Sequence, residues 1–337
     1  MTEVHESPSF ISHENRLPYS ESNFLDSVLI HGISAIFPQY SSLVYIPSHP
    51  LHTSSWLHEM PSTNIEDFRQ ALSNARNILV VSGAGLSAAS GECIATFRGQ
   101  GGRWRKYDSS ILATLSAWHE NQSRVWQFFH YRREEVRSKR PNDGHYALAR
   151  LCIPKWRNTV APNASVTHVT QNIDGLCLEA LNELSNAAGE QPDGTVIEMH
   201  GNLFDVVCTA FDCDYRAKNM DYPICPALEG TEAIVAAGHV EPVVKRADLP
   251  HCPKCRQLLR PDVVWFGERP KQIQRILEAA DSADLCLVVG TSSLVQPASK
   301  LPDRVRSNGG KIAVFNLEAN TNHSNEADFE FIATTQP

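Results

Sequence analysis

Ile78–Trp104 reads ILVVSGAGLSAASGECIATFRGQGGRW, and this stretch decides the fold. Four apolar residues, Ile78 to Val81, run into Gly83-Ala84-Gly85, and small residues continue through Ser87, Ala88, Ala89, Ser90 and Gly91. A buried parallel strand that ends in glycines lets the backbone approach a phosphate. The helix that follows presents unpaired N–H donors and the positive end of its dipole. A short glycine motif is also what an ordinary strand-to-helix turn uses, where glycine serves only a positive φ. The remainder of the chain has to separate the two.

Working outward, Thr63-Asn64-Ile65-Glu66 fits a capping box and starts a helix whose apolar positions are Ile65, Phe68, Leu72 and Ala75. Ser109–Leu115 reads as a short helical piece. Ser123 to about Ser138 reads as a stronger helix ended by Pro141, and His145–Leu151 as another. Val166–Thr170, Val196–Met199, Leu285–Val289 and Ile312–Phe315 read as strands, the last of them the final clear strand. Helices separate most of these strands. The expected fold class is therefore α/β, a Rossmann-like parallel sheet with helices on both faces. Polar or glycine residues recur at the strand ends, in Gln171-Asn172-Ile173-Asp174, His200-Gly201, Gly290-Thr291-Ser292 and Asn316-Leu317-Glu318. Open α/β sheets bind ligands at such ends.

Between Phe204 and Pro261 the character changes. Cys208 and Cys213 are followed 39 positions later by Cys252-Pro253-Lys254-Cys255. Two close cysteine pairs supply four thiolates tetrahedrally to one structural Zn, leaving no ligand position open for water. Such a closed site staples a small module that lacks a sufficient core of its own. Cys225 has no partner at ligand spacing and is left out. The expected organisation is a low-order extension over 1–60, a discontinuous nucleotide-binding domain over 61–203 and 262–333, and a cysteine module over 204–261. A short helix is expected near Phe24–Ile30.

The 337 residues carry 30 Lys and Arg against 38 Asp and Glu, a formal charge of −8. That balance offers no global basic field for nucleic acid, and direct nucleic-acid binding is not expected. No run approaches the ~18 apolar residues of a membrane span. The nine cysteines, odd in number and scattered, do not form a secreted disulfide framework. Residues 1–60 hold one strong base, Arg16, against six acids, unlike a transit peptide.

Taken in order, Gly83-Ala84-Gly85-x-Ser87, Phe97-Arg98-Gly99, Gln171-Asn172-Ile173-Asp174, His200-Gly201, the cysteine pairs, Phe266-Gly267-Glu268, Gly290-Thr291-Ser292 and Asn316-x-Glu318 resemble the sirtuins, NAD-dependent protein lysine deacylases. The resemblance covers roughly residues 62–331. Gly101-Gly102-x-Trp104-Arg105-Lys106, Tyr131-Arg132-Arg133-Glu134 and Val263-Val264-Trp265-Phe266-Gly267-Glu268 resemble the class III, desuccinylase and demalonylase type.

The resemblance implies that the substrate amide oxygen attacks C1′ of the nicotinamide ribose, nicotinamide leaves, and the acyl group ends on ADP-ribose. It implies NAD as a consumed co-substrate, with His200 as the base. Cofactor contacts would come from Gly83, Ala84, Gly85, Ser87, Phe97, Arg98, Trp104, Gln171, Asn172, Asp174, Gly290, Thr291, Ser292, Asn316, Leu317 and Glu318. Acylated-lysine substrate would be held by Ala113, Phe129, Arg132, Val264, Phe266, Gly267 and Glu268, with Cys208, Cys213, Cys252 and Cys255 on Zn.

In that class a Tyr-x-x-Arg pair holds the acidic end of a malonyl, succinyl or glutaryl group. Here the matching positions are Phe129 and Arg132, so the arginine stands without the tyrosine. A lost hydrogen bond to a charged group is worth ~1.5–3 kcal/mol, while the bidentate guanidinium is the larger contribution. Acidic acyl selectivity is therefore expected to be weakened and retained.

Two departures leave other readings open. Ser90–Arg98 is two residues longer than the family's Ser-Gly-[Ile/Val]-Pro-x-Phe-Arg and lacks the proline. The chain also ends at Pro337 without the Gly-Pro-Cys-type loop and final helix expected over the adenine. A plain deacetylase and a catalytically impaired NAD-binding scaffold are the alternatives. The resemblance implies mitochondria, and the acidic N-terminus leaves cytoplasm and nucleus open. No oligomeric state follows from the sequence.

Overall fold

A computed structural model describes residues 60–88, 90, 102–316 and 327–332. The expectations for Phe24–Ile30, for most of the 1–60 extension, and for Phe97, Arg98, Leu317 and Glu318 lie outside the described residues.

The elements follow one another as helix α1 (Ile65–Asn74), strand β1 (Asn77–Ser82), α2 (Ala84–Ala88), β2 (Arg103–Trp104), β3 (Tyr107–Asp108), α3 (Ser109–Leu112), α4 (Leu115–Glu120) and α5 (Gln122–Arg137). Then come α6 (Asp143–Leu151), α7 (Pro154–Val160), β4 (Ser165–Thr170), α8 (Leu176–Ala188), β5 (Thr195–Glu198), β6 (Gly201–Cys208), β7 (Arg216–Lys218), α9 (Thr231–Ala236) and β8 (Leu259–Val263). The chain continues through α10 (Ile273–Ser282), β9 (Leu285–Val289), α11 (Leu301–Ser307), β10 (Lys311–Asn316) and β11 (Phe329–Ile332).

Six strands form one sheet in the order β11-β10-β9-β1-β4-β5, with every pairing parallel. From β1 the chain winds outward to β4 and β5. It then returns to the other side of β1 for β9, β10 and β11. This is the doubly wound order of a dinucleotide-binding sheet, with its topological switch between β1 and β9.

The strand residues explain why both faces are covered. Ile78 and Val80 point to a core shared with α1, α6 and α8, through Phe68, Leu72, Leu148, Cys177 and Leu181. Leu79 and Val81 point the other way, to a core shared with α10 and α11 through Ile276, Ala280, Leu301 and Val305. Side chains that alternate between two helical layers must be apolar at every position, which is why β1 and β9 read as continuous hydrophobic runs.

A third core lies apart from these two. It joins Trp104, Leu112, Trp118, Val125, Trp126, Phe128, Phe129 and Val136 to Leu203, Val206, Leu259, Val263 and Trp265. The antiparallel sheet β7-β6-β8 belongs to it, and Trp126 Nε1 ties α5 to this sheet by donating to the Leu259 carbonyl at 3.0 Å. The core of the smaller lobe thus draws on residues 104–136 as well as on 203–265.

Three local expectations are corrected. The cap of α1 is Asn64, whose Oδ1 accepts from the Glu66 and Asp67 N–H groups at 2.9 and 3.4 Å, and not Thr63. The helix expected over Ser109–Leu115 breaks at Ala113, where Thr114 caps a second helix through the Ala117 N–H at 3.1 Å. A threonine hydroxyl in place to cap starts a new helix at little cost. Finally, β10 is not the last strand. The four residues of β11 pair with β10 because Phe329 and Phe331 pack edge-on against Phe68, at 5.7 and 5.5 Å between ring centroids. So short a strand carries no periodicity to read, and its aromatic contacts hold it.

Candidate active site

The glycine loops after β1 and β9 meet at the switch point. Gly83 N–H donates to the Val289 carbonyl at 3.0 Å and Gly85 N–H to the Gly290 carbonyl at 2.7 Å. A Cβ on Gly290, whose φ is +59°, would lie 2.3 Å from Leu86 N, and one on Gly85 would lie 2.8 Å from the Gly290 oxygen. Glycine is therefore required here first by the approach of two backbones. The crevice that results opens at the carboxyl ends of β1, β4, β9 and β10, where a doubly wound sheet takes a dinucleotide.

A buried polar network joins that crevice to β4. The Asn172 amide donates to the Gly83 carbonyl at 3.0 Å and to Ser87 Oγ at 2.9 Å. Ser87 in turn donates to Asp174 Oδ2 at 2.7 Å and lies 3.2 Å from His145 Nε2. His145 Nδ1 lies 3.2 Å from the Asn142 N–H and 2.9 Å from Asn142 Oδ1, so Asn142 holds the ring against Ser87. The Ser87 hydroxyl thus donates to Asp174, accepts from Asn172 and contacts His145. It orders Asn172 and Asp174, and its capacity is spent within the protein. Burial pushes the His145 imidazole down to about 3, so it stays neutral. Burial also pushes the Asp174 carboxyl above its usual range, against the pull of the Ser87 hydroxyl, the Leu176 N–H and the Arg132 guanidinium.

His200 sits just beyond β5. Its Nδ1 lies 3.0 Å from the Gln171 carbonyl. A carbonyl only accepts, so Nδ1 carries the proton and Nε2 is the acceptor. Burial lowers the imidazole below its ordinary value, and the bond to Gln171 raises it part of the way back. The neutral, accepting form is therefore the one present at pH 7. The Gln171 side chain reaches Thr291 Oγ1 at 3.0 Å, and Asn316 Nδ2 reaches the Thr291 carbonyl at 3.3 Å. The ends of β4, β9 and β10 are tied together through Thr291. Ser292 beside it is exposed.

The segment after β8 lies against the other side of His200. Val264 N–H donates to the His200 carbonyl at 2.7 Å, and Phe266 N–H to the Ala113 carbonyl at 2.9 Å. A Cβ on Gly201, at φ +81°, would lie 2.1 Å from the Asp262 carbonyl oxygen, so only glycine admits the close crossing of β6 and β8 here. Phe266 and Gly267 are exposed, Gly267 at φ +91°. Glu268 is committed to holding the turn. Its carboxylate accepts both Arg260 Nη atoms, at 2.7 and 2.8 Å, and the Trp265 N–H at 2.8 Å.

The remaining expected residues belong to the smaller lobe. Trp104 is buried, 5.6 Å from the Phe128 ring, with the Arg105 guanidinium 4.0 Å over its indole. Its Nε1 has no acceptor among the described residues. Ala113 and Phe129 are buried, and Phe129 stacks on Trp265 at 6.3 Å. Arg132, one turn further along α5, is also buried and forms an ion pair with Glu135 at 2.9 Å.

The four cysteines converge. Their sulfurs all lie within 4.8 Å of one another, with Cys208–Cys255 at 3.3 Å and Cys213–Cys252 at 3.7 Å. A tetrahedron with Zn–S of about 2.3 Å has S–S edges of about 3.8 Å, so the donor set and its spacing fit Zn²⁺.

Reading the sequence singled out neither His145, Asn142 and Asn202 nor Glu198. Asn142-x-x-His145 is a capping pair whose histidine also faces Ser87, a dual role that spacing alone does not reveal. Glu198 accepts from Asn202 Nδ2 at 2.8 Å, and burial pushes its carboxyl up to about 7.

Comparison with known proteins agrees with this geometry. The Sir2 family profile matches residues 83–297. The chain is 41% identical over 280 residues to the mitochondrial NAD-dependent protein deacylase sirtuin-5 of Canis lupus familiaris, covering 80% of this chain and 82% of that one. It is also 41% identical over 270 residues to an NAD-dependent protein deacylase of Daphnia pulex, covering 78% and 91%. Among solved structures, a Sir2 homologue in complex with NAD superposes with a TM-score of 0.62 at 31% identity, covering 81% of this chain and 90% of that one. With a family profile over most of the chain, relatives at 41% identity over most of its length and a superposable solved fold, the chain belongs to the Sir2 family.

Proposed function

We propose that this protein is an NAD-dependent protein-lysine deacylase that transfers the acyl group to ADP-ribose, releases nicotinamide, and takes acidic acyl groups such as succinyl, malonyl and glutaryl. The observation that carries the reading is the double engagement of His200. Its ring is fixed by Gln171, which also holds Thr291 in the crevice, and its carbonyl anchors Val264, just beyond the end of β8. One residue thus stands between a dinucleotide crevice and a backbone edge suited to an extended peptide.

NAD, when bound, supplies the ribose carbon that loses nicotinamide and the ribose hydroxyls that receive the acyl group. His200 Nε2, kept in its neutral form by burial, is the proton acceptor for such a hydroxyl. Asn172 and Asp174, ordered by Ser87, orient the sugar and the carboxamide. Gly83, Ala84, Gly85, Gly290 and Thr291 keep the crevice narrow. Val264, Phe266 and Gly267 guide the peptide, and Arg132 on α5 faces the acyl end. Cys208, Cys213, Cys252 and Cys255 would hold Zn²⁺ in a closed site that leaves no position for chemistry and would keep β6 and β8, hence Val264, in place.

No helix among the described residues is long and apolar enough to cross a membrane. Mitochondrial action is supported by the names of the vertebrate relatives, and fractionation of cells expressing the full chain tests it. The activity is tested with NAD and a panel of acetyl-, succinyl- and glutaryl-lysine peptides, read by mass spectrometry. Nicotinamide and acyl-ADP-ribose are expected, with succinyl turnover reduced in Arg132→Met. Neither product from any peptide would refute the proposal.

A further inference from the structure

The residue on which acidic acyl recognition depends already holds a carboxylate. Arg132 Nη1 donates to Glu135 Oε2 at 2.9 Å, and the Tyr131 hydroxyl donates to Glu135 Oε1 at 2.9 Å. Both oxygens of Glu135 are therefore engaged by donors from its own helix. Side-chain exposure is 6% for Arg132 and 19% for Glu135. An exposed i,i+3 ion pair on a helix would mean little. A guanidinium this deeply buried has lost its water and needs a counter-charge, and here Glu135 supplies one.

The pair also lies where substrate specificity would be set. Phe129, on the same face of α5 one turn earlier, stacks on Trp265 of the segment beside His200. The Arg132 charge is close enough to act on the Asp174 carboxyl.

We propose that Glu135 is a specificity-setting residue, an internal carboxylate that occupies the Arg132 guanidinium in place of the acyl carboxylate. The inference rests on the reading of Arg132 given under the proposed function. A succinyl or glutaryl group must exchange with Glu135 or share the guanidinium with it, whereas an acetyl group leaves the pair intact. Glu135 therefore narrows the preference for acidic acyl groups without obstructing neutral ones. Tyr131, by fixing the second oxygen, holds Glu135 in its blocking position.

The test compares the full chain with Glu135→Gln, Tyr131→Phe, Arg132→Met and the double variant Glu135→Gln/Arg132→Met. Each is assayed with NAD and matched acetyl- and succinyl-lysine peptides. Glu135→Gln keeps the shape and removes the charge. It is expected to raise kcat/KM for the succinyl peptide about tenfold, the size of one charge-assisted hydrogen bond. The gain should fall mainly in KM, with acetyl turnover unchanged within about twofold, which also certifies folding. Tyr131→Phe should give a smaller gain of the same kind, and the double variant should lose it. Equilibrium binding of the succinyl peptide gives the same comparison without turnover.

An unchanged succinyl-to-acetyl ratio in Glu135→Gln, with succinyl turnover still reduced in Arg132→Met, overturns the role of Glu135 alone. Succinyl turnover and binding that ignore Arg132→Met in both backgrounds overturn the acyl role of Arg132, and the inference with it.

Discussion

Along β1 every residue from Ile78 to Ser82 is buried, and alternate side chains feed two separate cores. Along β7, Arg216 to Lys218, none is. The six-stranded sheet is held by apolar burial on both faces, each large side chain contributing ~1.5–3 kcal/mol. The three-stranded sheet has one apolar face, turned to α5, and its far end carries the four converging cysteines. The first region can lose a contact and persist. The second adds a cysteine cluster to its core, and that cluster lies one strand away from His200, through β8 and Val264.

Removing the metal should break this comparison most sharply, since structural Zn²⁺ in isolated fingers is worth roughly 10–16 kcal/mol of apparent binding energy. Chelation or Cys252→Ser should open residues 204–261 to protease and abolish deacylation, while circular dichroism still reports the parallel sheet. A metal-free protein with full activity and an unchanged digest would contradict the stapling role.

His200→Ala comes next. A general base contributes about 10²–10⁴-fold, so kcat should fall by that much while NAD binding, measured by calorimetry, persists. In the wild type, kcat/KM should fall as pH drops through the His200 pKa. Burial sets that pKa below 6.5, so an acidic limb centred above 7 would point to another base.

Backbone approach separates two glycines of similar φ. Gly290→Ala meets Leu86 N at 2.3 Å, whereas nothing lies within 4 Å of a Cβ on Gly309 at φ +86°. We expect Gly309→Ala to cost about 1 kcal/mol of strain and Gly290→Ala about 3 kcal/mol or more in urea unfolding. Equal costs would mean that the loops after β1 and β9 part readily.

Glu198 gives an effect confined to one side of its titration. Its carboxyl is pushed up to about 7 by burial, with the Asn202 bond working against the shift. The folded state then holds a proton that the unfolded chain releases above about 4.5, so stability falls as pH rises from 4.5 to 7 and is level beyond. Glu198→Gln should flatten this slope, adding up to about 3 kcal/mol at pH 8 and nothing at pH 4. A parallel pH dependence of Tm in both proteins would rule it out.

Much of this was legible in the sequence because it rests on local pattern. The runs Ile78–Val81 and Leu285–Val289 declare strands buried on two faces, and the cysteine spacing declares a metal cluster. His200 and Gln171–Asp174 stand at strand ends, so their convergence follows once the sheet is parallel. The roles within the site were less legible. Ser87 is drawn inward by Asn172 and Asp174, Glu268 is clamped by Arg260, and Trp104 joins the smaller lobe's core.

The sequence by itself determined a parallel α/β sheet with helices on both faces, the cysteine cluster and the family, because each is written in periodicity or in motifs of residues close together along the chain. Tertiary structure alone decided which donors remain for a ligand. A hydroxyl, carboxylate or guanidinium has the same letter whether its hydrogen bonds are spent inside the protein or kept for substrate. That depends on neighbours brought in from distant strands and on burial. Gly83–Gly85 show both halves: the letters announce a close approach, and only the fold reveals that the first backbone approached is Gly290.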